Sequence, residues 1–237
     1  VTPYYHEGGV TIYVGDMLEI MPSFADGAFD GFVADPPYTS AGGSSNGRNS
    51  QEDDQFFAFW VRHVAAELER ATVPDGAGFV FCDWRTVGLV RAAFRTPGSR
   101  LGGRGWDATQ ALVWDRELIG LGSPFRNAYE MIAFCRGPRF KSAHIPRNVS
   151  TVIRHRWFYG NHEFGASEKP VDLCLQLLQW TGSKRRVVDP FVGSGPTLLA
   201  ARRLGIPAVG ITMNEADAEI AARRCSQEVL VLPEASA

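Results

Sequence analysis

The tetrapeptide Asp35-Pro36-Pro37-Tyr38 follows directly on the strand-like run Asp30-Gly31-Phe32-Val33-Ala34. A strand that ends in a carboxylate, then two residues without an N–H, then an aromatic ring, makes a rigid mouth rich in acceptors and poor in donors. Such a mouth suits an amino group. An exocyclic amine on adenine or cytosine is a poor nucleophile, because its lone pair is delocalised into the ring. Two acceptors, the Asp35 carboxylate and the Pro36 carbonyl, can bind both amino hydrogens and favour the pyramidal, nucleophilic form in the transition state. Tyr38 can stack on the base, which has to leave a duplex to be reached. The same four residues also read as a sharp turn after a strand.

A second constellation shifts the balance toward chemistry. Val187-Val188-Asp189-Pro190-Phe191-Val192-Gly193-Ser194-Gly195-Pro196-Thr197 leads into the helical Leu198 to Gly205 and then the strand-like Ala208 to Thr212. A strand, a glycine turn and a helix N-terminus form a surface where the polar atoms of a ligand meet free N–H groups, and glycine lets the backbone approach closely. Pro196 suits the first helical position. Leu198 stands where a dinucleotide fingerprint needs its third glycine, and no G-K-[ST] follows the turn, so neither a dinucleotide site nor a triphosphate loop is indicated.

The elements that must position these residues alternate along the chain. Strands are expected at Val10 to Val14, Phe29 to Ala34, Gly78 to Cys82, Thr109 to Trp114, Met131 to Cys135, Arg186 to Val188 and Ala208 to Ile211. Helices are expected at Phe56 to Ala71, Thr86 to Phe94, Pro170 to Thr181, Pro196 to Leu204 and Glu215 to Ser226. Phe56, Phe57, Trp60, Val61, Val64 and Leu68 recur at helical spacing and read as a core face. The alternation, with no internal repeat or proline-rich linker, predicts one α/β domain over residues 1–237. Thr39 to Asp54 is polar and rich in Gly, Ser and Asn, and is expected to be a mobile loop able to fold over a ligand.

With 45% hydrophobic and 21% charged residues, the 237-residue chain is neither disordered nor fibrous. No run approaches a membrane span, so a cytoplasmic location is expected. Cys82, Cys135, Cys174 and Cys225 form no C-x-x-C pair, and His6, His63, His144, His155 and His162 show no metal spacing. Neither a zinc site nor a disulfide framework is expected. The net charge of −2 hides an uneven distribution. Trp84 to Trp106 holds Arg85, Arg91, Arg95, Arg100 and Arg104, and Met131 to His162 holds Arg136, Arg139, Lys141, Arg147, Arg154 and Arg156, both without an acid. Eleven of the 24 basic residues stand there, which leaves 13 against all 26 acidic ones. Segments of this kind suit a phosphate backbone, and read otherwise as solvated surface. Arg139, Lys141, Arg147, Arg154 and Arg156 are the candidate DNA contacts.

Taken together, these residues resemble the N6-adenine and N4-cytosine DNA methyltransferases, which take the methyl group from S-adenosylmethionine. Asp189 to Gly195 is similar to the family's cofactor motif and Asp35 to Tyr38 to its catalytic motif, in the permuted order of the β group. Gly15-Asp16-Met17-Leu18 resembles the segment whose acid contacts the cofactor's adenine. Glu168-Lys169-Pro170 resembles the helix start before the cofactor strand. Trp114-Asp115, Phe125-Arg126 and Glu130 match the middle of the pattern. The resemblance implies a Rossmann-like fold, a mostly parallel twisted sheet with helices on both faces. It further implies cofactor contacts at Asp16, Asp35, Lys169, Asp189, Pro190, Phe191, Gly193, Ser194, Gly195, Thr197, Thr212, Asn214 and Glu215, and double-stranded DNA as substrate, with its target base flipped to Asp35, Pro36, Pro37 and Tyr38. Homodimers are common in the group, and a short target-recognition insertion is expected at about 137–165.

Two positions depart from the family pattern. Pro196 replaces the usual Thr, which a helix start tolerates. Thr212 stands where an acid usually holds the ribose hydroxyls, and Glu215, one helical turn on, is the candidate substitute. A cysteine nucleophile for cytosine C5 chemistry is usually presented after a proline, and the chain has no Pro-Cys pair. The first motif residue, Asp rather than Ser, favours adenine over cytosine N4. A catalytically silent relative that binds DNA or senses the cofactor is the alternative, supported by Thr212 and opposed by the intact Asp35 to Tyr38.

Overall fold

A computed structural model describes residues 1–37, 51–95, 105–120, 124–157 and 168–227. In chain order the elements are β1 (Tyr5–Glu7), β2 (Val10–Val14), α1 (Met17–Ile20), a 3-10 turn (Met21–Ser23), β3 (Phe29–Ala34), α2 (Gln51–Ala71), β4 (Thr72–Cys82) and α3 (Val87–Phe94). They continue with β5 (Asp107–Asp115), β6 (Tyr129–Arg136), β7 (Val152–Arg154), α4 (Val171–Thr181), β8 (Val187–Asp189), α5 (Pro196–Arg203), β9 (Ala208–Thr212) and α6 (Glu215–Gln227). Among the described residues the strands form one sheet in the order β1-β2-β9-β8-β3-β4-β6-β5-β7. The run from β2 to β4 is parallel, and β6 lies antiparallel between β4 and β5.

The central strands are short apolar runs because helices cover both of their faces. In β4 the pleat sends Phe79 and Phe81 to one side and Val80 and Cys82 to the other. On the first side they meet Leu173, Leu177 and Leu178 of α4 and Leu198 and Leu199 of α5. On the second side they meet Phe57, Val61, Val64 and Leu68 of α2, Val90 and Phe94 of α3, and Met17 and Ile20 of α1. The helical spacing in α2 is therefore a core face. Phe56 falls outside it and is exposed.

β3 and β8 are neighbours in parallel register, Gly31 beside Val187 and Phe32 beside Val188. Asp30 fixes that register, since its carboxylate accepts from the backbone N–H groups of Lys184, Arg185 and Arg186 at 2.8, 2.9 and 3.0 Å. From this pair the chain departs to opposite faces, β8 into α5 on the first and β3 toward α2 on the second. A crevice opens beyond the carboxyl ends of such strands, where open α/β sheets bind ligands.

Several boundaries differ from expectation. α2 begins at Gln51, so residues 51–54 of the expected mobile loop are helical. The run Gln51–Asp54 has no Gly or Pro to stop a helix, although its polar composition reads as loop. Residues 39–50 of that loop lie outside the described residues. β4 begins at Thr72, because Phe29 pairs with Thr72 and Gly31 with Ala77, with an irregularity between them that takes up Pro74. β1 and β7, three residues each, edge the sheet. β7 lies within the expected 137–165 insertion. No helix among the described residues is long and apolar enough to cross a membrane.

Candidate active site

Asp189 ends β8 and is buried. Its Oδ1 accepts from the Phe191 N–H at 2.9 Å, which closes the turn after the strand. Burial pushes its carboxyl up to about 7, against the opposing pull of hydrogen bonds from Thr197 and the Phe191 backbone. Gly195 N–H then bonds to the Val192 carbonyl at 2.9 Å and Val192 N–H to that of Ile211 at 2.9 Å, so the turn is locked onto β9. Gly195 has φ +91°, and a Cβ there would lie 2.9 Å from that of Ala221. Gly193 has φ +47°, and a Cβ there would meet no atom within 4 Å. The first glycine lets α5 pack on α6. The second leaves backbone bare toward open space.

Asp35 follows β3 and faces this turn. Lys169, from the residue before the Pro170 cap of α4, donates to Asp35 Oδ2 at 2.6 Å. The Lys169 side chain is 8% exposed and that of Asp35 29%. Desolvation alone would lower the lysine's pKa, but the carboxylates of Asp35 and Glu130 outweigh it and hold the ammonium above its ordinary value. The ammonium also lies 5.1 Å from the centroid of the Phe81 ring. Pro36 is buried and Pro37 exposed, and Tyr38 lies outside the described residues. Asp35, Lys169, Asp189, Phe191, Gly193, Ser194 and Thr197 line one cavity of about 170 Å³, joined by Phe81, Glu168 and Asp217.

The strand ends beside this cavity carry the remaining candidates. Asp16 caps α1, accepting from the Leu18 N–H at 2.9 Å, and Gly15 N–H bonds to the Thr212 carbonyl at 2.9 Å. Thr212 is buried and its hydroxyl accepts from the Asn214 N–H at 3.2 Å. The Asn214 side chain in turn accepts from Ala216 N–H at 3.0 Å. Glu215, first residue of α6, is exposed. Asp16, Thr212, Asn214 and Glu215 therefore share the carboxyl edge of the sheet with Asp35 and Asp189.

The basic segment divides between the two ends of the sheet. β6 runs downward from the site, so Arg136 pairs with Ala77 at the far end, where Gly137 and Arg139 donate their N–H groups to the carbonyls of Gly76 and Pro74. Arg139 and Lys141 are thus remote from Asp35. The chain returns through Arg147, and β7 runs beside β5 toward the site end. Arg154 there lies opposite Asp115, with its guanidinium 3.6 Å from that carboxylate. Arg156 follows at the same end.

The sequence places Glu130 only in the middle of the family pattern, with no role of its own, and gives Arg224 none. Glu130 faces Lys169 at 3.4 Å. Arg224 of α6 binds Glu168 at 2.7 Å and the Ser194 carbonyl at 2.8 Å, which ties the α4 entry to the glycine turn. An arginine far along the chain gives no local signal of such a role. The four cysteines are buried thiols, none of them in a disulfide. His144 and His155 bond to the Trp180 carbonyl and to Gln176.

A model of the N6_N4_Mtase family, described as DNA methylase, matches residues 29–223, from β3 into α6. The chain belongs to this family. Among relatives of the DNA methylase chain, the type II methyltransferase M.ScaI of Streptomyces caespitosus is 25% identical over 272 residues, spanning 95% of this chain and 84% of that one. Among solved structures, the putative DNA modification methylase TTHA0409 of Thermus thermophilus, in complex with S-adenosyl-L-methionine, superposes with TM-score 0.72 at 21% identity, over 93% of this chain and 96% of that one. PvuII DNA methyltransferase, described as cytosine-N4-specific, reaches TM-score 0.75 at 15% identity over 99% and 90%. The mostly parallel sheet with helices on both faces is the fold these structures share.

Proposed function

We propose that this DNA methylase transfers a methyl group from S-adenosylmethionine to the N6 amino group of adenine in DNA. The observation that carries the reading is the meeting of Asp35 and Asp189 on one cavity at the β3/β8 crevice, with Lys169 between the α4 entry and Asp35. The residues fit the cofactor. Asp189 is a buried carboxyl that a cationic ammonium would favour in its charged form, and the bare backbone at Gly193 admits close approach. Asp189, Phe191, Gly193, Ser194 and Thr197 would hold the amino-acid end, and Asp16 and Glu215 the nucleoside end. Bound there, the cofactor supplies a methyl group on a cationic sulfur, an electrophile that needs only an oriented nucleophile.

Orienting that nucleophile falls to Asp35 and the Pro36 carbonyl, which accept the two amino hydrogens and leave the nitrogen lone pair directed outward. Lys169 donates to one Asp35 oxygen, Oδ2, which fixes the direction of the carboxylate. The part that the family resemblance gives Tyr38, stacking on the flipped base, completes the reading. In this reading residues 1–237 are one methyltransferase domain, 137–165 is the target-recognition segment, and Arg154 and Arg156 are its phosphate contacts nearest the site.

The PvuII likeness favours one second reading, N4-cytosine transfer, because an exocyclic cytosine amine makes the same demands of Asp35. Incubating the protein with DNA and tritiated cofactor, then digesting to nucleosides, separates the two. Label in N6-methyladenine is the expected result. Label in N4-methylcytosine transfers the reading to cytosine, and no label with bound cofactor identifies a silent relative. Asp35→Ala should abolish transfer and leave cofactor affinity largely intact, and a rate within tenfold of the parent would remove Asp35 from its role.

A further inference from the structure

Glu130 opens β6 beside Tyr129, at the same end of the sheet as Asp35. Its Oε2 lies 3.4 Å from Lys169 Nζ, and its Oε1 lies 3.7 Å from Nη1 of Arg116. Lys169 is nearly buried, and removing an ammonium from water costs several kcal/mol unless opposite charge accompanies it. Two carboxylates flank this ammonium. Arg116 then balances the second, so two cations and two anions alternate from Arg116 through Glu130 and Lys169 to Asp35.

We propose that Glu130 is a positioning residue for methyl transfer, sharing the Lys169 ammonium with Asp35 and so setting where the Asp35 carboxylate points. It touches neither base nor cofactor and acts through the lysine. With the Glu130 charge gone, the ammonium would lean more heavily on Asp35 and turn that carboxylate from the direction it now holds. The backbone that carries Lys169 is anchored separately. The Trp157 indole donates to the Glu168 carbonyl at 3.1 Å, and Arg224 holds the Glu168 side chain at 2.7 Å. Loss of the Glu130 charge should therefore move the ammonium and leave the fold in place.

The inference rests on the methyl-transfer reading above, and a double-mutant cycle tests it in single-turnover reactions with enzyme in excess, so that slow variants stay measurable. Glu130→Gln should lower the transfer rate about tenfold while cofactor and DNA dissociation constants stay within about twofold. In a Lys169→Met background the same substitution should cost less than about twofold, because its route to Asp35 is already gone. Glu130→Asp keeps the charge and loses the shape, so it should retain more activity than the isosteric Gln. Full additivity, a parental rate in Glu130→Gln, or Gln outperforming Asp would each overturn the proposal. Thermal melting checks folding. If the amide variant does not fold, the cycle is run with Glu130→Ala, which also removes the charge, so coupling and additivity carry the same meanings. No transfer by the parental protein overturns the underlying reading and this proposal with it, whereas parental transfer with an additive cycle overturns this proposal alone.

Discussion

Asp35 and Lys169 stand 134 positions apart in the chain and meet at 2.6 Å, joining the end of β3 to the entry of α4. The contact holds the candidate catalytic carboxylate to the helix that precedes the cofactor strand, so the two halves of the site are set by one ion pair. Their order in the chain is irrelevant to that geometry. β3 and β8 are adjacent in the sheet whichever comes first.

The first prediction concerns Lys169→Met. A methionine fills similar space without charge, so Asp35 loses its fixed donor and Glu130 is left beside Arg116 alone. Removal of one preorganised electrostatic group at a reacting centre typically costs about a hundredfold or more in rate. Methyl transfer should fall by that order while DNA affinity holds, and a variant within fivefold of the parent would show that the pair is dispensable.

Asp189 should make the stability of the protein depend on pH. Burial pushes its carboxyl up to about 7 from the ordinary 3.8. A group that holds its proton more tightly when folded contributes most below about pH 4, and its contribution is lost as pH rises toward 7, at no more than about 1.4 kcal/mol per unit. Urea unfolding should show the parent losing more stability than Asp189→Asn between pH 5 and pH 8. Equal losses would mean that the carboxyl is solvated. A cationic ligand on Asp189 should also release a proton near pH 6.5, which calorimetry in buffers of different ionisation heat detects.

Where a local pattern existed, the sequence was readable. Asp35 and Asp189 each end an apolar run that alternates or is continuously buried, and the glycines after Asp189 announce the turn. The line of contacts from Arg116 through Glu130 and Lys169 to Asp35 had no such signal, since its members come from four separate elements and meet only because β6 runs antiparallel to β4. The same reversal carried Arg139 and Lys141 away from the site while β7, too short to show periodicity, brought Arg154 back. A run of like charge in sequence was thus divided by the direction of two strands.

That division is testable through salt dependence. Each phosphate contact removed should lower the slope of log affinity against log salt by about one unit. Replacing Arg154 and Arg156 together by alanine should reduce the slope by about one to two. Replacing Arg139 and Lys141, which lie at the opposite edge of the sheet, should leave it unchanged. The reverse outcome would place the DNA path across the far edge and separate it from Asp35.

The final prediction concerns the end of β9. Thr212 is buried and its hydroxyl is engaged by the Asn214 N–H, so it is poorly placed to receive two ribose hydroxyls. Glu215 is exposed at the first turn of α6, next to that strand end, and its carboxylate is free of the strand's own hydrogen bonding. A carboxylate that accepts hydrogen bonds contributes roughly 1.5 to 3 kcal/mol, against about 1 for a neutral hydroxyl. Calorimetric titration with S-adenosylmethionine should therefore find Glu215→Ala about tenfold weaker than the parent. Thr212→Glu should gain nothing, because it would bury a second carboxylate beside the first and displace the Asn214 turn. If Thr212→Glu tightens binding and Glu215→Ala has no effect, the ribose approaches the strand end itself and Glu215 is only a helix-start acid.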